Sequence, residues 1–294
     1  MKLYTYQTSA QSPDEIGVGY TEQPGKIWPL SCWGMAFADM NALIRSASPE
    51  QLAALRVPPE GKEPLRLDAL VPRAPIPFPL QDVLCLGINY YDHLTEAGRF
   101  DRAAFGDRPR TIYFSKRVSE ANWNGGVIPA YETLVDSLDY ECELGVVIGR
   151  DAWQVRAEDA FDYVFGYTIL NDVSARNLQT GHKQWYFGKS LDGHTPMGPC
   201  ILTADEVASP PALGIRCRVN GETRQDSNTE YLMTGIAEII AELTQGMTLK
   251  AGTIIATGTP AGVGMGMQPP CFLKNGDVVE CEIDGIGILT NVIG

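Results

Sequence analysis

Apolar positions beyond residue 83 come in short runs broken by glycine, a pattern of strands and turns with few long helices. Residues 83–86 and 163–170 are two such runs. Residues 141–149 read as a strand buried on both faces. Near the C-terminus Val279, Cys281 and Ile283 alternate with Glu280 and Glu282, the period of a half-buried strand, and Asp284-Gly285 then signals a hairpin turn. A helical period predicts a helix over about 229–245, where Leu232, Ile236, Ile239, Ile240 and Leu243 share one apolar face and Gly246 offers a stop. The first 80 residues read as a small N-terminal domain. It has strands at 1–7 and 17–20, a helix at about 35–46, and a second helix announced by Ser48-Pro49-Glu50, an N-cap followed by proline. The proline-rich connector 71–79 holds the chain extended and divides this unit from a larger domain over 81–294. Strand-rich segments with scattered helices predict an α+β, β-rich fold rather than a doubly wound sheet.

At 44% hydrophobic and 20% charged residues, the 294-residue chain can bury a sizeable core. No apolar run approaches the roughly 18 residues a membrane helix needs, and the first residues form no apolar signal segment. Seven cysteines without a Cys-x-x-Cys pair sit mostly in apolar runs, as reduced core residues of a cytoplasmic protein would. The net charge of −13 disfavours nucleic acid and anionic membranes as partners. It also requires local positive charge wherever an acidic substrate binds.

Candidate chemistry begins at Asp139-Tyr-Glu-Cys-Glu-Leu-Gly-Val-Val-Ile-Gly149. Glu141 and Glu143 share a strand face at roughly 7 Å spacing and repel unless a cation lies between them. Asp172 ends the second apolar run. Three hard oxygen ligands on adjacent strand ends suit Mg²⁺ or Mn²⁺; the same acids also suit a solvated strand end. His93 and Glu96 meet on one helical turn, where the carboxylate would orient the imidazole as a water-activating base. A surface His–Glu pair has the same spacing. Lys116 and Lys189 each close an apolar or aromatic stretch, while Arg176 and Gln179 follow Asp172 by four and seven residues. Each is a pocket group or a plain surface group. Residues 254–264 read as a strand and a glycine-rich loop whose N–H groups would hold a carboxylate; they have neither Walker nor dinucleotide spacing. His182 and His194 lack metal-ligand spacing and read as structural, and no Gly-x-Ser-x-Gly elbow supports a serine hydrolase.

Eight segments, in one order, resemble the fumarylacetoacetate hydrolase family. They are Gly87-Ile-Asn-Tyr-Tyr-Asp-His, the Asp139–Gly149 segment, Asn171-Asp-Val-Ser-Ala-Arg, Gln184-Trp-Tyr-Phe-Gly-Lys-Ser, Pro196-Met-Gly-Pro, Val219-Asn-Gly-Glu, Ala256-Thr-Gly-Thr-Pro-Ala-Gly-Val-Gly and Leu273-Lys-Asn-Gly-Asp-Val-Val-Glu. The resemblance covers about residues 81–293. It implies a rolled, layered mixed β-sheet core, usually in homodimers, and Mg²⁺ or Mn²⁺ held by Glu141, Glu143 and Asp172. It implies a 2-oxo or 2,4-dioxo acid as substrate, with Lys189 as the active-site lysine. Arg176, Gln179 and Thr259 match pocket-lining positions, Thr259 near the substrate carboxylate, and Lys116, which occupies the position of a lysine usually followed by proline but here by Arg117, is expected with them to bind substrate. His93 and Glu96 match the dyad of members that cleave carbon–carbon bonds or decarboxylate. Two segments depart from the family pattern: Asn177 replaces an aspartate after Arg176, and Leu191-Asp-Gly-His194 replaces Phe-Asp-Thr-Phe. Both bear on substrate identity rather than on the ligands.

The leading expectation is hydrolysis of a 2,4-dioxo acid to pyruvate and a second acid. Decarboxylation of an oxaloacetate-like acid, keto–enol tautomerisation and hydration of a dienoate are alternatives at the same site. Pocket walls are expected partly from the N-terminal unit and from residues 96–110.

Overall fold

A computed structural model describes residues 1–100 and 110–294. The first half contributes strands β1 (Lys2–Gln7), β2 (Glu15–Gly19), β3 (Lys26–Pro29), β4 (Leu65–Arg66), β5 (Val71–Pro72), β6 (Val83–Gly87), β7 (Ile112–Lys116), β8 (Val127–Ile128) and β9 (Leu138–Asp139). The second half contributes β10 (Cys142–Ile148), β11 (Val164–Asn171), β12 (Ser174–Ala175), β13 (Met197–Thr203), β14 (Gly214–Val219), β15 (Glu222–Asn228), β16 (Ile254–Ala256), β17 (Val278–Ile283) and β18 (Gly287–Ile293). Helices are short: α1 (Met40–Ser46), α2 (Pro49–Ala54), α3 (Tyr91–Phe100), α4 (Arg176–Gly181), α5 (Tyr186–Lys189) and α6 (Ile236–Thr244). Among the described residues, none is long and apolar enough to cross a membrane.

Among the described residues the strands form three sheets. An eleven-stranded sheet runs β4-β3-β2-β1-β13-β11-β10-β16-β6-β7, with β5 added to β1. A five-stranded sheet runs β15-β14-β17-β18-β8, and β9 pairs with β12. Pairing is antiparallel except at β16–β6 and β18–β8, so the fold is mixed. The N-terminal strands join the main sheet through β1 and β13.

All seven residues of β10 are buried. Leu144, Val146 and Ile148 pack with Ile215, Cys217, Cys281 and Ile283 of the five-stranded sheet and with Ile239 and Ile240 of α6. Val147 packs on the opposite side with Leu3, Val18, Ala74 and Ile76. A strand covered on both faces reads as a continuous apolar run, so the two glutamates at its mouth stand out as the exception.

The alternation in 278–283 and the turn at Gly285, with φ of 78°, are as expected. Two helices differ. The first starts at Met40, where the Asp39 side chain accepts the Ala42 N–H at 2.7 Å, five residues later than the period suggests. The helix expected over 229–245 is broken. A short 3₁₀ turn, Thr229–Tyr231, precedes α6, because Asn89 captures the intervening backbone: Met233 N–H donates to its carbonyl and Thr234 N–H to its side chain, both at 2.8 Å. Tertiary hydrogen bonds there replace the helical ones.

Candidate active site

The ends of β10 and β11 bring the acids together. Asp172 N–H donates to Glu141 O at 2.8 Å, and Asn171 Oδ1 accepts the Glu141 N–H at 3.1 Å, which fixes both strand ends side by side. Glu141, Glu143 and Asp172 then place carboxylate oxygens within 4.8 Å of one another, and all three residues are buried.

Cations from three other elements face them. Lys189, at the end of α5, donates to Glu141 and to Asp172, each at 2.7 Å. Lys116, at the end of β7, pairs with the other Asp172 oxygen and donates to Val173 O at 3.1 Å and His194 O at 2.9 Å. Arg176, opening α4, reaches Glu141 at 2.6 Å, Asp139 at 2.9 Å and Gln179 Oε1 at 3.0 Å. Lys116, Arg176 and Lys189 are each no more than 2% exposed, so their counter-charges are obligatory.

Burial opposes ionisation of Glu141, but Lys189, Arg176 and His93 outweigh it and hold its carboxyl well below the usual carboxylate range. Glu143 goes the other way. Burial, then the negative charges of Asp172 and Glu141, push its carboxyl well above the usual range. Burial likewise opposes the Lys189 ammonium, yet Asp172 and Glu141 raise its pKa above the ordinary lysine value. Three cations and four carboxylates, counting Asp139, leave this buried cluster one formal negative charge in excess. A divalent cation would reverse that sign and relieve the repulsion at Glu143.

His93 and Glu96 sit on α3 with Nδ1 and Oε2 3.1 Å apart, and His93 is 5% exposed, so the pair is not a surface one. Gly262 N–H reaches the Glu96 carboxylate at 3.0 and 3.2 Å to its two oxygens. The glycine-rich loop does hold carboxylates, but those of the protein itself. Gly258 N–H binds Glu143 at 2.7 Å, and Gly264 and Met265 N–H bind Asp139 at 2.7 and 3.0 Å. Sequence reasoning expected an external anion there; these N–H groups instead set a candidate ligand, the dyad and the partner of Arg176.

A cavity of about 20 Å³ lies among His93, Glu141, Arg176, Gln179, Lys189 and Thr259, with apolar walls from Ile88, Phe114, Trp185 and Met265. It has room for about one water, so entry of an organic acid must displace lining side chains. The N-terminal unit contributes none of its described lining, contrary to expectation. Of the expected wall 96–110, Ala97 takes part, and residues 101–109 lie outside the described residues. A larger depression of about 330 Å³, beside Met1, Arg56, Arg150 and Asp205, has surface ion pairs (Arg56–Asp205, Arg150–Asp162) rather than convergent buried groups. Chemistry, not size, singles out the smaller cavity.

His182 is exposed and meets Phe187 edge-on, while His194 is buried, donates Nε2–H to Pro129 O at 2.8 Å, and is pushed by burial down to about 4. Both stand outside the described cavity lining, as their spacing suggests.

Asp139 and Trp185 went unsingled in the sequence although both lie within recognisable segments. A Cβ on Gly87 would come within 2.3 Å of the Trp185 ring, which packs edge-on against Phe114 at 5.3 Å. Trp185 O accepts the Lys189 N–H at 3.1 Å, so displacing the indole disturbs the lysine's own turn. Gly87→Ala is expected to lower kcat/KM by about 10²-fold, the cost of a misplacement near 1 Å, and stability by about 1–3 kcal/mol. Steady-state kinetics and thermal melts check both.

The family model "Fumarylacetoacetate (FAA) hydrolase C-terminal" matches residues 82–294. The oxaloacetate tautomerase YisK of Bacillus subtilis is 46% identical over 221 residues, 75% of this chain and 72% of that protein. A fumarylacetoacetate hydrolase from Exiguobacterium antarcticum superposes with a TM-score of 0.85 at 35% identity, covering 100% of this chain and 99% of that one. The maleylpyruvate hydrolase of Sphingobium sp. SYK-6, solved with manganese(II) and pyruvate, has a TM-score of 0.78 at 28% identity, with 100% and 98% coverage.

Proposed function

The chain belongs to the fumarylacetoacetate hydrolase family, whose enzymes act on small organic acids, and on that premise we propose that it is a divalent-metal-dependent enzyme of 2-oxo acids working through their enol forms. Tautomerisation of oxaloacetate is the first reading, favoured by the 46% identity to a tautomerase. Hydrolysis of a 2,4-dioxo acid is the second, favoured by the imidazole–carboxylate pair, whose Glu96 is clasped by Gly262. The observation that carries the proposal is the convergence of Glu141, Lys189, Arg176 and His93 on one cavity, with the buried carboxylates of Glu143 and Asp172 grouped with that of Glu141.

Glu141, Glu143 and Asp172 fit Mg²⁺ or Mn²⁺: all are hard oxygen donors, and burial together with the charges of Asp172 and Glu141 disfavours the Glu143 carboxylate in a way that a bound cation would offset. When bound, the metal supplies Lewis-acid stabilisation of negative charge on the 2-oxo oxygen. Lys189 and Arg176 add positive charge beside the substrate's carboxylate and developing oxyanion. Lys116 holds Asp172 in place, Gln179 orients Arg176, and Thr259 lies at the carboxylate end. His93, oriented by Glu96, takes a proton from C3 of the keto acid to leave the enolate, and return of that proton to the 2-oxo oxygen gives the enol. In the second reading it takes a proton from water attacking C4; the C3–C4 bond then breaks to leave pyruvate as its enolate, which recovers that proton at C3.

Oxaloacetate and acetylpyruvate, each assayed with Mg²⁺ and with EDTA, test the proposal. Faster loss of the enol absorbance of oxaloacetate than in buffer, at unchanged mass, supports tautomerisation. Pyruvate plus acetate from acetylpyruvate supports hydrolysis, and CO₂ from oxaloacetate moves the reading to decarboxylation. EDTA is expected to remove activity and added Mg²⁺ or Mn²⁺ to restore it. Full activity after exhaustive chelation would exclude the metal.

A further inference from the structure

Gln225 of β15 is 1% exposed, and its amide touches both elements that build the site. Its Oε1 accepts the N–H of Cys142, the residue between Glu141 and Glu143, at 3.1 Å. Its Nε2 donates to Thr259 Oγ1 at 2.7 Å and to Pro260 O at 2.8 Å, which uses both of its donors. Thr259 closes the ring by donating to Cys142 O at 2.9 Å. Arg224, the preceding residue, adds a second constraint. A Cβ on Gly262 would meet the Arg224 carbonyl oxygen at 1.9 Å, and Gly262 has φ of 106°, so the loop lies directly on β15 where only glycine fits. Two adjacent residues of the second sheet thus fix both ends of segment 259–262, whose last N–H seats Glu96.

We infer that Gln225 is a positioning residue of the active site, setting the register between the carboxylate-bearing strand β10 and the segment that carries Thr259 and seats Glu96. The candidate ligands are held by other groups: Glu143 by Gly258, Glu141 and Asp172 by Lys189. Loss of the Gln225 amide therefore shifts Thr259 and the seat of Glu96 without releasing the carboxylates. A buried glutamine that only filled space would leave catalysis and ligand affinity unchanged when exchanged for methionine.

This inference rests on the proposed handling of 2-oxo acids, so the test carries a readout independent of turnover. Gln225→Met keeps length and volume and removes all three hydrogen bonds. It is expected to lower kcat/KM about 10–10²-fold and to weaken oxalate binding in the presence of Mg²⁺, read by calorimetry, while Mg²⁺ affinity alone stays at the wild-type value. Added to Thr259→Val, it is expected to cause no loss beyond the larger single effect, because both act on one contact. If the wild type binds oxalate but turns over neither oxaloacetate nor acetylpyruvate, the reaction proposal fails while the positioning role is still read from oxalate affinity. Wild-type oxalate affinity in Gln225→Met, losses additive with Thr259→Val, or Mg²⁺ affinity falling in step with activity would each overturn the inference. Absence of oxalate binding by the wild type overturns both. Should Gln225→Met fail to fold, Gln225→Glu keeps the acceptor for Cys142, loses both donors, and supports the same comparison.

Discussion

Asp172→Asn is expected to abolish metal-dependent turnover and to destabilise the protein by about 3–5 kcal/mol, the cost of breaking a buried ion pair from one side. Asp172 faces Lys116 with one oxygen and Lys189 with the other, and all three residues are at most 2% exposed. Asparagine has nearly the same shape but carries no charge, and it turns an N–H toward one of the lysines. Buried Lys116 loses the carboxylate it pairs with, and buried Lys189 loses one of its two. The charge that would hold a divalent cation with Glu141 and Glu143 disappears as well. Stability and chemistry separate in the double variant Lys116→Met/Asp172→Asn, which deletes a matched pair. Denaturant melts should recover part of the lost stability there, while turnover and calorimetric Mg²⁺ affinity stay lost. A single variant with wild-type Mg²⁺ affinity would remove Asp172 from the candidate ligands.

His93→Ala is expected to lower kcat by roughly 10²–10⁴, the usual share of general acid–base catalysis, with little change in Mg²⁺ affinity. The imidazole is buried against the cavity, Glu96 fixes its Nδ1, and Nε2 is the nitrogen left to move a proton. Glu96 is tied in turn to Gly262, so the orientation does not depend on α3 alone. Both reaction readings route their proton through this nitrogen, and the variant therefore tests what they share. Turnover near the wild-type rate would leave the ligand cluster intact but take His93 out of the chemistry.

Much of the site was legible because it follows local rules. Period 2 placed Glu141 and Glu143 on one face, helical spacing paired His93 with Glu96, and the order of eight segments pointed to the family. The buried alternation of 278–283 and the capped helix at Ser48 were equally local. The structure brings every expected site residue into one cluster: His93, Glu141, Arg176, Gln179, Lys189 and Thr259 line the cavity, Glu143 and Asp172 complete the acid group, and Lys116 and Glu96 hold its members.

What the sequence could not contain is who partners whom. The glycine-rich loop looked like an anion cradle, since free backbone N–H groups and bound ones have the same sequence; folding spends them on Glu143, Glu96 and Asp139. The helix expected from 229 broke because Asn89, 145 positions before Thr234, binds its backbone. Gln225 lies in a strand whose neighbours are mostly exposed or half-buried, and no periodicity marks it. Local pattern thus determined strands, caps and the acidic face, because those depend on residues within a few positions. The sign of the local field, the seat of the dyad and the register of the pocket were decided only when distant strands met, because hydrogen bonds and charge compensation are satisfied across space rather than along the chain.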